Sequence, residues 1–299
     1  MKAAGSRQQT AGRAGQVTGS SSRADCLLPS AFCLSRRGLT LAELLISMSI
    51  LSMMSVVLAG MSHAVNSAWS YTKGVEETDL QARAALERIE FMVLQTGSYR
   101  LAGKPTRMGL VVLRRPFGST DVPDVLVLWT GGRNGGMAAS GVQSRLPTVG
   151  ELLIYTTDGK TPNELLEVAF PGQTTPFDFG AAGLATQVAG LLAADTAEKI
   201  PLCDRLRVSS LNSMQSTGHL RFTQTVLPSD DELATAAPLT ANWLKLSWPL
   251  GQCTNTSGMR QATVRIELQI EPDGIVRASD TVAAIPFFGS ASVRSLYEP

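Results

Sequence analysis

An apolar run with one acid near its start constrains this chain more than any other feature. The run extends from Leu39 to Ala59, and its only ionisable side chain is Glu43. No further formal charge follows until Lys73, and the 29 residues between Glu43 and Lys73 would form an α-helix about 44 Å long. About 20 apolar residues are enough to cross the hydrocarbon core of a bilayer. The run therefore predicts a membrane-spanning helix.

Charge is distributed unevenly on the two sides of this run. Residues 1–38 carry a net charge of +5, whereas the whole chain has a formal charge of only +1. Arg36 and Arg37 stand directly before the run, which predicts that the N-terminus stays in the cytoplasm. The polar composition of residues 1–38 cannot support a packed core, so we interpret them as a leader. A net charge near zero argues against a nucleic-acid partner.

Two ordinary membrane signals compete with a more specific interpretation. A cleaved secretory signal should have an apolar region of about 7–15 residues and a small-x-small cleavage site, and this run is longer. A plain signal anchor gives no reason for Glu43, because a carboxylate in an apolar span costs about 2.5–3.5 kcal/mol. Its candidate partners are Arg36 and Arg37, or a new α-amino group created by cleavage after Gly38. After such a cleavage we expect Glu43 to have no partner within its own chain.

The residues around Gly38 resemble the processing motif of type IV prepilins. Gly38 stands at the position before the cut, Leu39 at the first mature position, and Thr40 and Glu43 match in place. Leu39 replaces the commoner Phe, and a leader of residues 1–38 is long for the family. The resemblance implies cleavage by prepilin peptidase, N-methylation of Leu39, and pairing of Glu43 with the amino terminus of a neighbouring subunit.

The resemblance also implies a function and a location. It indicates a structural minor pseudopilin of a type II secretion system or a minor pilin of a type IV pilus, placed at the tip or acting in initiation. Its partners would be prepilin peptidase, other major and minor subunits, and the inner-membrane assembly platform. The protein would be single-pass in the inner membrane with a periplasmic C-terminal domain, and later filament-associated. The alternative is a membrane-anchored exported enzyme or binding module whose motif match is accidental.

Beyond the span, the sequence predicts a helical stem. In residues 79–96, apolar side chains recur at three- and four-residue spacing with charges between them, which is typical of an amphipathic helix. Gly97 is a natural stop for that helix. The predicted division is a leader over 1–38, a transmembrane helix over 39–60, a stem over 61–97 and a β-rich exported domain over 98–299.

The exported domain is predicted to be rich in antiparallel strands, which gives an α+β, pilin-like fold. Ser229 with Glu232 resembles a helix capping box, and 181–199 is expected to contain a helix. Two hairpin sequences are similar to those of large J-type pseudopilins and W-type minor pilins. Strands are predicted at 125–129, 151–157, 163–170, 219–227, 242–248 and 262–270, followed by a turn over 271–274 and a returning strand from Ile275.

A search for catalytic or ligand-binding patterns indicates no enzyme, no cofactor and no metal site. His63 and His219 are isolated, and no catalytic or nucleotide-binding motif is present. The glycine-rich segment 131–136 lacks the Lys-Ser/Thr of a phosphate loop and is expected to be a mobile loop. The acidic residues 230–232 lack the regular spacing of calcium ligands, and we interpret them as a solvated helix start.

Cysteine usage predicts one disulfide. Cys203 and Cys253 are the only cysteines after the leader, and an oxidising exterior would allow them to join. The alternative is two buried free thiols.

Overall fold

One long helix comes before all the strands. The computed structural model describes residues 40–117, 120–212, 215–272 and 284–299. Helix α1 runs from Leu41 to Leu94, and the chain divides between Leu58 and Ala59 into two units that are described separately. In the first unit every described residue is exposed. In the second unit the buried residues of α1 begin at Gly74.

The strands form two larger and two smaller sheets. The order β3-β4-β6-β7-β8 is an antiparallel five-stranded sheet, and β11-β12-β13 is an antiparallel three-stranded sheet. The smaller sheets are β2-β1-β5 and β10-β9. The predicted α+β fold is thereby confirmed. In chain order the elements after α1 are β1 (Ser98–Tyr99), β2 (Arg107–Met108), β3 (Leu110–Phe117), β4 (Thr120–Trp129), β5 (Val142–Gln143), β6 (Leu152–Thr157), β7 (Leu165–Ala169), α2 (Leu184–Ala193), β8 (Glu198–Cys203), β9 (Val208–Asn212), β10 (Gln215–Gly218), β11 (Leu220–Leu227), α3 (Asp230–Thr235), α4 (Ala241–Leu244), β12 (Gly258–Ile270) and β13 (Ile285–Tyr297).

The central strands of the five-stranded sheet are buried on both faces. In β4, Leu126 and Leu128 pack in the same hydrophobic cluster as α1, whereas Val127 and Trp129 pack in a second cluster with α2. Successive side chains of a strand point to opposite faces. A strand segment covered by apolar clusters on both faces favours apolar residues at successive positions, which explains the apolar runs 125–129 in β4 and 152–155 in β6.

The three-stranded sheet is buried on one face only. Along β12, Val264 and Ile266 are buried while Arg265 between them is exposed. This alternation confirms the strand predicted over 262–270. The partner β13 pairs with β12 over its whole length. The returning strand predicted from Ile275 begins outside the described residues.

A glutamine side chain connects the two larger sheets. The side-chain oxygen of Gln224 in β11 accepts a hydrogen bond from the Val112 N–H at 3.0 Å. Its amide nitrogen donates to the Leu110 carbonyl at 3.4 Å. The Gln224 amide therefore makes the pair of hydrogen bonds to β3 that a peptide group of a neighbouring strand would make.

The buried face of α1 packs against both sheets. It shares one hydrophobic cluster with Leu126 of β4 and Val264 of β12. The amphipathic helix predicted over 79–96 is confirmed by this face. Its residues recur at three- and four-residue spacing and are Ala82, Ala85, Leu86, Ile89, Met92 and Val93.

An ion pair fastens α1 to β7. Arg88 donates to the two carboxylate oxygens of Glu167 at 2.8 and 3.0 Å, and to the Arg133 carbonyl at 2.9 Å. Glu167 is 2% exposed and also accepts a hydrogen bond from the Tyr155 hydroxyl at 2.9 Å. Burial, together with the Glu167 charge, raises the pKa of Tyr155, so its hydroxyl remains a donor. A buried carboxylate with three hydrogen-bond donors around it is well compensated.

The strand predicted over 242–248 is wrong. The chain forms α4 there, and Trp243 and Trp248 both pack with Tyr297, the two indole centroids lying 4.9 Å apart. The indole N–H of Trp248 donates to the Trp243 carbonyl at 2.8 Å, and that of Trp243 to the Thr254 carbonyl at 2.9 Å. Residues five apart in a strand point to opposite faces. A strand would therefore direct the two indoles to opposite faces, whereas the chain here places both in one cluster.

Two other local predictions are confirmed. The helix expected within 181–199 is α2. The Ser229 hydroxyl accepts from the Glu232 N–H at 3.2 Å, and the Glu232 carboxylate accepts from the Ser229 N–H at 2.8 Å. These reciprocal bonds are a capping box at the start of α3.

The end of α1 differs from the prediction. The helix ends at Leu94, three residues before Gly97. The Gly97 N–H donates to the Trp129 carbonyl at 2.9 Å, and a Cβ at this position would lie 2.9 Å from Met137 Cβ. Glycine is thus needed for the close approach of the Met137 loop and not for a helix cap.

We expect Ile89→Ala to lower the free energy of unfolding by about 2–5 kcal/mol, because it leaves a cavity between α1 and the sheets. Ile89 is fully buried, whereas Leu80 on the same helix is 63% exposed. Leu80→Ala is therefore the matched control, with an expected change of less than about 0.5 kcal/mol. Urea unfolding of the full chain in detergent measures both. Equal losses would contradict the assignment of this buried face.

Candidate functional site

Thr40 and Glu43 form a reciprocal cap at the start of α1. The Thr40 N–H and hydroxyl both donate to Oε2 of Glu43, at 2.9 and 3.0 Å. The Glu43 N–H in turn donates to Oγ1 of Thr40 at 3.3 Å. A Thr followed three residues later by a Glu is the sequence of a capping box, which satisfies N–H groups that the helix leaves unpaired. The Glu43 carboxylate also lies at the positive end of the helix dipole.

This cap corrects the expectation that Glu43 has no partner within its own chain. Thr40 supplies two hydrogen bonds to Oε2, although neither comes from a charged group. Within the described part of the chain, no hydrogen bond reaches the other oxygen, Oε1. An ionised carboxylate has about four lone-pair sites. The cap therefore leaves capacity for a cation from outside the chain.

Three serine hydroxyls in the apolar part of α1 bond to the backbone of the helix itself. Ser47 and Ser55 donate to carbonyls four residues earlier, at 2.7 and 2.8 Å. Ser52 donates to the carbonyl three residues earlier at 2.8 Å. A hydroxyl without a partner is costly in an apolar medium. These backbone bonds allow the serines to enter such a medium.

The apolar side chains of this part of α1 are not buried within the protein. Leu41 is 79% exposed and Val56 is 73% exposed. Among the described helices, α1 alone is long and apolar enough to cross a membrane, and none of its most hydropathic window is buried. An apolar surface of this extent needs a bilayer or other apolar helices around it.

Residues 33–59 match the family model of the prokaryotic N-terminal methylation motif. The chain carries a type IV pilin-like prepilin signal. The match includes Arg36, Arg37 and Glu43, and confirms the resemblance that these residues give in the sequence. No curated protein and no solved structure matches the chain. The prepilin signal indicates a type IV pilin-like protein that is processed by a prepilin peptidase.

The residues that flank the expected cut lie outside the described part of the chain. Gly38 and Leu39 fall within the matched range but before the first described residue, Thr40. The Thr40–Glu43 cap lies within the matched range, directly after these two residues. Cleavage at Gly38 and docking through Glu43 stay predictions.

Sequence reasoning missed the capping function of the signal. It treated Thr40 only as a motif residue and considered only charged partners for Glu43. The Thr-x-x-Glu spacing before an apolar run is itself a recognisable helix start. The same spacing was used correctly for Ser229 and Glu232, so the information was present in the sequence.

One backbone carbonyl accepts three hydrogen bonds at the start of the glycine-rich loop 131–136. The N–H groups of Thr130, Gly131 and Gly132 all donate to the Glu151 carbonyl, at 3.0 to 3.2 Å. The backbone φ angles of Gly131 and Gly132 are 85° and 90°, which favour glycine. These amides are directed at a protein carbonyl and do not form a phosphate cradle. The start of the loop is therefore bonded to Glu151, and its mobility stays a prediction.

The acidic residues 230–232 take part in local structure. Asp230 accepts from Arg260 at 2.7 Å, and Glu232 caps α3. In the described ranges, no group of three or more His, Cys, Asp and Glu side chains is placed to hold a metal ion. Burial and two nearby arginines lower the pKa of His219, which keeps its imidazole neutral.

Cys203 and Cys253 are free thiols in the structure, so the predicted disulfide between them is not confirmed. Cys203 is 3% exposed and packs in the cluster that contains α1. Cys253 is half-buried and packs in the separate cluster of Trp243 and Trp248. Burial also raises the pKa of the Cys203 thiol, which disfavours the reactive thiolate.

We expect a maleimide to modify Cys253 in the native protein and Cys203 only after unfolding. The reason is the burial of Cys203, which blocks access and keeps the thiol protonated. Peptide mapping by mass spectrometry, with and without reductant, measures both sites. A peptide pair that links Cys203 to Cys253 and disappears on reduction would contradict this result.

Proposed function

We propose that this chain is a minor subunit of a type IV pilin-like filament. It would be a minor pseudopilin of a type II secretion system or a minor pilin of a type IV pilus. The observation that carries the proposal is a prepilin signal over residues 33–59 that leads into an exposed apolar helix. The large β-rich part over 98–299 favours a minor subunit, because the resemblance in its hairpins is to large minor pseudopilins and minor pilins.

In this proposal the chain is a structural protein and not an enzyme. Prepilin peptidase removes residues 1–38, and Leu39 becomes the methylated amino terminus. Residues 39–60 hold the protein in the inner membrane, and 61–97 form a stem. The basic residues before the span support a cytoplasmic N-terminus and a periplasmic domain. The assembly platform and the other pilins then take the subunit into the filament, at the tip or during initiation.

In the assembled filament, each carboxylate oxygen of Glu43 would make a different interaction. Its Oε2 keeps the cap with Thr40, and its Oε1 accepts the methylated ammonium group of Leu39 from a neighbouring subunit. Two opposite charges that meet in a low-dielectric environment lose much of the penalty that each would have alone. The cap supports this role because it holds the carboxylate near the start of the helix, where a neighbour's amino terminus would arrive.

We expect Gly38→Val to abolish cleavage by a co-expressed prepilin peptidase, because a branched side chain then occupies the position before the cut. Gly60→Val is the matched control, since a Cβ at Gly60 meets no atom within 4 Å. Intact-mass and N-terminal analysis should show a methylated Leu39 in the wild type and the control, and the full leader in Gly38→Val. A mature terminus beyond Ala59 would contradict the proposal and favour an accidental motif on an exported enzyme or binding module.

The charge of Glu43 can be separated from its capping function. Glu43→Gln keeps an oxygen that can cap the helix but removes the charge, whereas Thr40→Val weakens the cap and keeps the charge. We expect Glu43→Gln to reduce crosslinking to other prepilins about a hundredfold or more, because an unpaired buried charge costs about 3–5 kcal/mol. Thr40→Val should have a much smaller effect, and cleavage should be unaffected in both.

Membrane crosslinking beside a secretion or piliation assay measures these effects. The Gln variant is a cleaner probe than Glu43→Ala, which would remove the cap as well as the charge. Normal assembly of Glu43→Gln with a defect in Thr40→Val would show that the cap is required and the docking charge is not.

A further inference from the structure

Two exposed aromatic side chains stand at the distal end of the charge-free part of α1. Trp69 is 73% exposed and Tyr71 is 52% exposed, and the first charge, Lys73, follows two residues later. The other tryptophans are buried in the folded domain: Trp129, Trp243 and Trp248. Trp and Tyr concentrate at membrane–water interfaces because their rings combine an apolar body with a polar tip. The pattern of aromatic side chains followed by a cation fits the edge of a bilayer.

The length of helix between this edge and Glu43 fits the thickness of a bilayer. Glu43 and Trp69 are 26 residues apart in the sequence, and an α-helix of that length extends about 39 Å. The hydrocarbon core is about 30 Å thick, and the bilayer with both interfaces is about 40–45 Å thick. An average tilt of about 20° shortens the projected length only to about 37 Å. A helix with ordinary tilt therefore cannot place both residues in the hydrocarbon core of the bilayer at the same time.

We propose that, before assembly, Trp69 and Tyr71 anchor α1 in the headgroup region of the distal leaflet and hold the Thr40–Glu43 cap in the headgroup region of the proximal leaflet. The embedded segment then covers about residues 44–70 and is longer than the predicted span over 39–60. The Glu43 carboxylate remains hydrated in this position and avoids the cost of entering hydrocarbon. This inference rests on membrane anchoring but not on filament assembly.

The polar side chains of residues 61–70, which the longer span adds, fit a position near the distal headgroup region. Nδ1 of His63 lies 3.2 Å from the Ser67 hydroxyl, and the Ser70 hydroxyl donates to the Ser67 carbonyl at 3.0 Å. All three residues lie within six positions of Trp69, or about 9 Å along a helix. They are therefore placed in the distal half of the bilayer, where polar groups cost less than at its centre.

Depth-dependent fluorescence quenching tests the proposal on the full, uncleaved chain. The chain is reconstituted into phosphatidylcholine vesicles that contain lipids brominated at either shallow or deep acyl positions. Trp69→Phe supplies the baseline from the three buried tryptophans. We expect the Trp69 signal to be quenched more strongly by shallow than by deep bromines.

Two further tryptophans extend the test along α1. In the Trp69→Phe background, Leu41→Trp should be quenched from shallow positions, because it lies at the opposite interface. Met54→Trp should be quenched from deep positions, because it lies near the middle of the embedded segment. Leu41 and Met54 are 79% and 64% exposed, so neither substitution disturbs packing within the chain.

Two results for Trp69 would overturn the inferred depth of α1, and one flotation result would overturn membrane anchoring itself. An unquenched Trp69 would place the span at 39–60 and overturn the inference, leaving Trp69 for contacts with neighbouring subunits. Deep quenching of Trp69 would overturn it equally. Failure of the chain to float with the vesicles would overturn membrane anchoring and the proposed function with it.

Discussion

The packing of α1 against both larger sheets is the interaction on which the rest of the structure depends. Ile89 and Met92 are fully buried in one cluster with residues of β4 and β12. Arg88 adds an ion pair with the buried Glu167 on β7. This contact organises the domain core around one helix face. The same helix also contains the apolar run, so the helix that packs in the domain core is the one that anchors the chain in a membrane.

The two kinds of apolar surface on α1 have different requirements. The buried face needs shape complementarity within the protein, whereas the exposed run needs apolar surroundings and internally satisfied polar groups. The Thr40–Glu43 cap and the Ser47 backbone bond satisfy polar groups of the run without help from other parts of the chain. Such a helix can pass from lipid into contact with other helices without exchanging these bonds, which is what assembly of a filament from a membrane requires.

Sequence periodicity predicted the elements whose side chains follow the backbone repeat, such as β12 with Val264 and Ile266 on one face. It failed over 242–248, where pairing the indoles of Trp243 and Trp248 outweighs the apparent alternation. The predicted disulfide is not confirmed, and spacing along the chain does not show that Cys203 and Cys253 pack in different clusters. The prepilin signal was recognisable because its residues are local, whereas the Arg88–Glu167 pair joins elements far apart in sequence.

The most direct measurement is the composition of filaments sheared from cells that carry this chain. Quantitative mass spectrometry compares this chain with the major subunit, in cells with and without prepilin peptidase. We expect the chain in the filament fraction at a small fraction of the major subunit, beginning at methylated Leu39, and only in the presence of the peptidase. Its recovery solely in the membrane fraction of cells that assemble filaments, with residues 1–38 still attached, would contradict the proposed function.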